Sequence, residues 1–194
     1  MDADGLGALT FACATTAEER VAKRLGLRSV RVGVRAVNGV PDARLVSFGL
    51  AGALHDGLRV GDVLDATRVV DEHGVTLWEG APLGVAGARL ATMLSSDELV
   101  HDAGERRRLH GASGADAVDM ESGVLARSGR LAGVVRAVSD GAESSIEGLD
   151  STVHPDGRTN VPGLMRWVAK GRGGAVRSLR DAVVALKALE KAVA

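Results

Sequence analysis

Aromatic residues, cysteine and long apolar runs are all scarce in this chain of 194 residues, which has two Trp, two Phe and no Tyr. Its one cysteine, Cys13, excludes an internal disulfide, and its apolar neighbours predict a buried structural thiol. No apolar run approaches the roughly 20 residues that span a bilayer, and the start lacks the basic flank of a secretory signal. We therefore expect a cytoplasmic protein without membrane insertion.

An excess of charge of either sign is also missing. Lys and Arg together number 24 and Asp and Glu number 25, which gives a formal net charge of -1. This balance gives no support for nucleic acid or an anionic membrane surface as a partner. The five histidines have no metal-ligand spacing, so we predict no metal site, and no other cofactor is indicated. A small, neutral or weakly polar molecule is the partner we expect.

Apolar segments of strand length alternate with helical patterns along the chain. With 45% hydrophobic residues, the length suits one substantial core, so residues 1–194 are predicted to form a single domain. The alternation predicts an α/β fold with three layers, in which helices cover both faces of a mainly parallel twisted sheet. Strands are predicted at 6–14, 29–34, 43–48, 62–70, 88–94 and 133–138, helices at 16–26, 97–110, from Asp119 onward and at 175–192, and a polar loop from Gly141 to Pro162.

Two carboxylates follow each other at the ends of adjoining elements. Glu121 belongs to the stretch AVDMESGVLA (117–126), in which Asp119 can cap a helix start. Asp140 ends the apolar strand of VVRAVSD (134–140). Such positions are where open α/β sheets bind ligands. From the residues alone, Asp140 could also cap a turn, and Glu121 could simply complement the helix dipole.

These two stretches resemble the superfamily of purine nucleoside phosphorylases and methylthioadenosine/S-adenosylhomocysteine nucleosidases, which has a Met-Glu pair near the ribose and a strand-terminal Asp. The segment LVSFGLAGALHDGLRVGDVL (45–64) is similar to the glycine-rich segment of that family. The resemblance covers roughly residues 8 to 142 and is closest in appearance to hopanoid-associated nucleosidases that cleave adenosylhopane. Only about twenty residues separate the first helix from the strand at 43–48, as expected for a shortened member.

The resemblance implies a homodimer that hydrolyses the N-ribosidic bond of a nucleoside, with a 5′-substituted adenine nucleoside as the substrate class. Asp140 would be the general acid that protonates the purine ring nitrogen. Glu121 would stay ionised and accept hydrogen bonds from the ribose hydroxyls, while Met120 would offer an apolar face to the sugar. A non-catalytic nucleoside-binding homologue is the alternative of another class.

A base for the attacking water is expected just after the first strand, where family members place a Glu. Glu18 fits the family spacing better and Glu19 is the alternative, although either could be a first-turn acid that complements the helix dipole. Gly49 would let the backbone approach the ligand closely. Related phosphorylases bind phosphate with an Arg and a hydroxyl residue where this chain has Ser47 and Leu50, so hydrolysis is favoured over phosphorolysis.

The base pocket is expected around Leu99 and Val100. Family nucleosidases have a segment resembling S-G-D-x-F-I there, and Leu99 in place of its aromatic residue removes a stacking surface. That change is compatible with another substrate or with a simple helix start. The nearby run of charged residues at 105–108 is predicted to be a solvated helix face.

Overall fold

The computed structural model describes residues 8–144 and 148–194, which form an α/β fold with eight strands and four α-helices. The strands are β1 (Thr10–Cys13), β2 (Ser29–Arg31), β3 (Leu45–Ala53), β4 (Val63–Val70), β5 (Thr76–Glu79), β6 (Arg89–Ser95), β7 (Ala117–Asp119) and β8 (Leu131–Asp140). The helices are α1 (Thr16–Arg24), α2 (Ala103–Ser113), α3 (Ser122–Arg127) and α4 (Val161–Val193), and short 3-10 turns occupy Val34–Ala36 and Leu149–Thr152.

The sheet is mainly parallel, and part of it closes on itself. β1 pairs with β2 and β3, and β3 pairs in parallel with β8 and antiparallel with β7. β8 pairs antiparallel with β4, β4 pairs in parallel with β6, and β6 pairs in parallel with β7. The strands β3, β8, β4, β6 and β7 therefore form a closed, barrel-like ring, with β5 added at the edge of β4. The α/β class is confirmed, but this closure leaves the three-layer arrangement unconfirmed.

Alternating side chains of β3 pack into two different hydrophobic clusters. Leu45 and Ala51 contribute to one cluster, whereas Val46 and Phe48 contribute to the other, as expected from the two-residue period of a strand. The second cluster also contains Phe11, whose ring meets that of Phe48 edge to face at a centroid distance of 5.5 Å. Helix α4 packs against β8, β3, β4 and α1 and contributes to this second cluster. The strands of the site are therefore fixed by apolar packing on both faces.

Several boundaries differ from those predicted. Helix α2 begins at Ala103 instead of 97, because the side chain of Asp102 caps it by accepting a hydrogen bond from the Glu105 amide at 2.9 Å. Helix α4 begins at Val161, so the predicted loop from Gly141 to Pro162 is shorter and contains a 3-10 turn. The short strands β5 and β7 were not predicted, and parts of the predicted first strand and of that loop lie outside the described residues.

Cys13 is fully buried in β1, and burial raises the pKa of its thiol, with the nearby Glu18 raising it further. The prediction of a buried thiol is confirmed. Among the helices of the described ranges, we find none with the length and apolar character needed to traverse a bilayer.

Candidate active site

One cavity of about 450 Å³ lies where β3, β7 and β8 end and helix α1 begins. It brings together six of the seven residues singled out in the sequence, and its lining includes Glu18, Leu99, Val100, Met120, Glu121 and Asp140. The seventh residue, Gly49, belongs to β3 and lies against the side chain of Glu18. A Cβ atom at Gly49 would be only 2.1 Å from Glu18 Oε1. Glycine is therefore required there, because any side chain would displace the carboxylate.

Glu18 is held in the cavity by the first turn of α1. Its Oε2 accepts hydrogen bonds from the amide of Thr15 at 2.8 Å and from the Thr15 hydroxyl at 3.0 Å, which completes a capping box. Its Oε1 accepts the amide of Leu50 at 2.8 Å. Glu19, the alternative, instead pairs with Lys23 at 2.7 Å and Arg31 at 3.5 Å. The structure thus places Glu18, and not Glu19, in the cavity.

A buried arginine in β8 links three buried carboxylates. Arg136 Nη2 lies 2.8 Å from Asp119 Oδ2 and 3.2 Å from Glu121 Oε2, and Arg136 Nη1 lies 3.9 Å from Glu18 Oε1. The hydroxyl of Ser47 accepts a further hydrogen bond from Arg136 Nη2 at 2.7 Å. One guanidinium cannot balance three carboxylates. We name Glu18, Asp119, Glu121 and Arg136 the acidic cluster; with every group ionised its net charge is -2, and binding one proton reduces this to -1.

Glu121 has a raised pKa, so it can hold a proton near neutral pH. Burial raises its pKa to about 7; Arg136 opposes this shift, whereas Asp119 and Glu18 add to it. The expectation that Glu121 stays fully ionised is therefore wrong, since both forms are present near neutral pH. Burial lowers the pKa of Arg136, but the three carboxylates raise it above its ordinary value, so the guanidinium stays charged.

The amide of Arg35 donates a hydrogen bond to Glu121 Oε1 at 3.1 Å. Both Arg35 and Ala36 have a φ of 54°, in the left-handed region that costs energy for residues with a Cβ atom. The guanidinium of Arg35 is anchored to the carbonyl oxygen of Asp97 at 3.2 Å. This strained turn fixes one wall of the cavity beside Glu121.

Asp140 is paired with a second buried arginine, from helix α2. Arg106 Nη2 lies 2.5 Å from Asp140 Oδ2, and the same guanidinium donates to the carbonyl oxygens of Ala53 at 2.9 Å and Val100 at 3.1 Å. Its side chain is 1% exposed. We name Arg106 and Asp140 the base-side pair. A Cβ atom at Gly52 would lie 2.7 Å from Asp140 Oδ2, so this glycine leaves the space that the pair occupies.

The prediction that residues 105–108 form a solvated helix face is wrong for Arg106. Because α2 begins at Ala103, Arg106 lies on the same inward face as buried Leu109, one turn further along. Its neighbours Arg107 and Arg108 are exposed and pair with exposed glutamates.

Apolar side chains complete the cavity. Met120, Leu99 and Val100 line it, and the last two belong to a loop instead of the predicted helix start. Helix α4 adds an apolar wall that consists of Leu179, Ala182, Val183 and Leu186. Within residues 8–144 and 148–194, no group of three or more His, Cys, Asp and Glu side chains is arranged to hold a metal ion.

Sequence reasoning missed Arg136 and Arg106 and gave Asp119 only a capping role. Asp119 does accept the amide of Ser122 at 3.1 Å, but it also binds Arg136. A signal for Arg136 exists in the sequence, since an arginine inside the otherwise apolar run V-V-R-A-V needs a buried anionic partner. Arg106 has no such signal among its three consecutive arginines.

Solved structures with a similar fold are nucleosidases and related hydrolases. The 5′-methylthioadenosine/S-adenosylhomocysteine nucleosidase of Helicobacter pylori, in complex with a pyrrolopyrimidine compound, aligns over 97% of this chain and 98% of its own, at 15% identity and a TM-score of 0.61. The apo 5′-methylthioadenosine nucleosidase of Arabidopsis thaliana aligns over 96% and 93%, at 13% identity and a TM-score of 0.61. The futalosine hydrolase of Helicobacter pylori aligns over 93% and 99%, at 15% identity and a TM-score of 0.56.

No protein-family model and no curated protein matches the sequence. The similarity to the solved structures is therefore one of fold. It extends over nearly the whole length of each neighbour. This chain shares the fold of the methylthioadenosine nucleosidases and futalosine hydrolase.

Proposed function

We propose that this protein hydrolyses the N-ribosidic bond of a nucleoside and releases the free base. The observation that carries the proposal is that two carboxylate–arginine centres, the acidic cluster and the base-side pair, line one cavity. The structural neighbours are nucleosidases and a futalosine hydrolase, which supports the proposal of nucleoside hydrolysis.

Cleavage of this bond needs opposite charges to be stabilised at its two ends. The sugar becomes oxocarbenium-like in the transition state, and the buried carboxylates of the acidic cluster, Glu18, Asp119 and Glu121, favour positive charge beside them. The departing base gains electrons and needs a proton, which Asp140 would donate to a ring nitrogen. Glu121 would accept hydrogen bonds from the ribose hydroxyls, and Met120 would contact the sugar.

Water would complete the reaction with Glu18 as the general base. The C1′–N bond breaks with its electron pair going to the leaving nucleobase, which takes the proton of Asp140. Water then attacks C1′ and gives its proton to Glu18, so the products are the free base and the sugar. Solvent returns both carboxyl groups to their starting protonation states.

The acidic cluster disfavours phosphate as the nucleophile. A phosphate dianion beside the sugar would meet three carboxylates and only one guanidinium, already bound to them. The amide of Leu50, which could bind a phosphate oxygen, donates to Glu18 instead. Arg44 is exposed at the start of β3 and offers no fork for the anion.

A 5′-substituted adenine nucleoside is the substrate class that we propose. One wall of the cavity is apolar and consists of Leu179, Ala182, Val183 and Leu186 of α4. This wall favours a substrate with an apolar substituent on the sugar, because burying apolar surface against it contributes favourable binding free energy. We also propose that the chain forms a homodimer, since α4 leaves several large apolar side chains exposed.

The test is incubation with a panel of nucleosides, with and without phosphate, while free base and reducing sugar are measured. We expect release of the base and of free ribose or its 5′-substituted derivative, at a rate that phosphate does not raise. Formation of ribose 1-phosphate would replace hydrolysis by phosphorolysis. Binding of nucleosides without release of base would identify a non-catalytic binding protein.

A further inference from the structure

We propose that Arg106 is a positioning residue for proton transfer: it fixes Asp140 through Oδ2 and leaves Oδ1 as the oxygen that delivers the proton to the base. The inference rests on the proposed function, because it concerns the same cavity. It adds a residue of helix α2 to the reaction and gives the two oxygens of one carboxyl group separate tasks.

The contacts of Asp140 distinguish its two oxygens. Oδ2 lies 2.5 Å from Arg106 Nη2, a guanidinium nitrogen that can donate a hydrogen bond but cannot accept one. A proton placed on Oδ2 would point at this cation, so Oδ2 is suited to anchoring and not to proton transfer. Arg106 is itself fixed by the carbonyl oxygens of Ala53, at the end of β3, and of Val100, in the loop before α2.

Oδ1 has a partner that can accommodate either protonation state. The hydroxyl of Ser139 lies 2.6 Å from Asp140 Oδ1 and 3.3 Å from the carbonyl oxygen of Ala51. When Oδ1 is unprotonated, the hydroxyl can donate to it. When Oδ1 carries a proton, the hydroxyl can turn to donate to Ala51 and accept from Asp140, since a serine oxygen both donates and accepts. Proton exchange at Oδ1 therefore needs no movement of the heavy atoms.

A buried guanidinium is a costly way to satisfy two carbonyl oxygens. Removing a charge from water is unfavourable, and Arg106 has only one carboxylate in contact and an Nε without a hydrogen-bond partner in the described part of the chain. An amide could bind the carbonyls without a charge. A role in fixing the carboxyl group of Asp140 therefore explains the buried Arg106 better than a role in stabilising the fold.

The experiment compares two substrates that differ in their need for a proton. One is the purine nucleoside cleaved best in the panel; the other is 4-nitrophenyl β-ribofuranoside, whose phenolate leaves without protonation. Arg106→Gln should lower kcat/KM on the purine nucleoside by about 10²-fold, since a displacement of about 1 Å in a catalytic group has that effect. Cleavage of the 4-nitrophenyl riboside should change by less than about threefold, and the loss on the purine should fall on kcat.

Two further variants separate positioning from folding. Arg106→Lys keeps the charge but not the fork, so it should recover part of the lost purine activity. Arg107→Gln is the matched control, because Arg107 is the exposed neighbour on the same helix, and it should behave as wild type. If Arg106→Gln fails to fold, the same selective loss on the purine is expected, more weakly, in Arg106→Lys.

An equal loss on both substrates, or no loss on the purine, would overturn the role of Arg106 while leaving the proposed function in place. A wild-type protein that cleaves neither substrate would instead refute the proposed function, and the inference with it.

Discussion

Gly52 leaves the space that the carboxylate of Asp140 occupies, because a Cβ atom there would be 2.7 Å from Asp140 Oδ2. Gly49 stands in the same relation to Glu18, three residues earlier in β3. Each glycine of the G-L-A-G run therefore makes room for one carboxylate of the cavity. The run lies within a continuous strand, since β3 extends through it to Ala53.

This relation predicts that Gly52→Ala damages the site. The new methyl group would also lie 2.8 Å from Arg106 Nη1, so the base-side pair must shift. We expect a loss of about 1–3 kcal/mol in the free energy of unfolding, as for other overpacked sites, together with reduced turnover. Gly111→Ala is the control, because nothing lies within 4 Å of its Cβ position in helix α2. It should stabilise the protein by up to about 1 kcal/mol. Similar effects of both changes would contradict the prediction.

Replacement of Asp140 by Asn should abolish most turnover on purine nucleosides. Asparagine keeps the shape but cannot deliver the proton, and general acid catalysis contributes about 10²–10⁴-fold. Steady-state kinetics on the nucleoside panel will measure the loss, and thermal unfolding will show whether the variant folds. Turnover close to that of the wild type would remove Asp140 from the mechanism.

Recognition of the ribose can be tested at Glu121. With glutamine at this position, the partner of the sugar hydroxyls is weakened, so the preference for ribonucleosides over 2′-deoxyribonucleosides should shrink. The measurement is the ratio of kcat/KM for the two substrates in each protein. An unchanged ratio would show that Glu121 does not contact the 2′-hydroxyl.

The raised pKa of Glu121 predicts how stability varies with pH. The group has an ordinary pKa of 4.5 and one of about 7 in the folded protein, so between these values the folded state retains a proton that the unfolded state has released. Stability should therefore fall as pH rises through this window, by about 3 kcal/mol at most. Denaturant unfolding at pH 5 and pH 8 will measure this, with Glu121→Gln showing a smaller decrease. An equal decrease in both proteins would assign the effect to other groups.

Self-association is predicted from the surface of α4. Val161, Met165 and Val176 are 60%, 68% and 58% exposed, and two-fold dimers are the commonest soluble assembly. Sedimentation at micromolar concentration should give the mass of a dimer. Met165→Lys should weaken the association, whereas a monomeric wild type would refute it.

The α/β class and most strands could be predicted from the sequence, because runs such as that of β4 are local patterns of apolar residues. The closed ring could not, since it depends on the pairings of β7 with β3 and of β4 with β8, between segments far apart in the chain. Three-residue β7 has no periodicity to detect. Helix α4 was predicted too short because glycines at 171, 173 and 174 lower its local helix propensity.

The carboxylates of the site were easier to predict than their arginine partners. Asp140 and Glu121 stand at element ends, where position in the sequence already suggests exposure to a ligand. Arg106 is distinguished from Arg107 and Arg108 only by the phase of helix α2, which the cap at Asp102 determines. Because the helix was predicted to begin at 97 instead of Ala103, the inward position of Arg106 was not predicted.

The single thiol of Cys13 gives this protein a built-in probe of ligand binding. It is completely shielded, and the next two residues, Ala14 and Thr15, line the cavity. A thiol reagent can reach it only during an opening of the structure, so the labelling rate reports the population of open molecules. A nucleoside that binds only the closed form should slow that labelling in proportion to its occupancy, even in a variant that has lost all turnover.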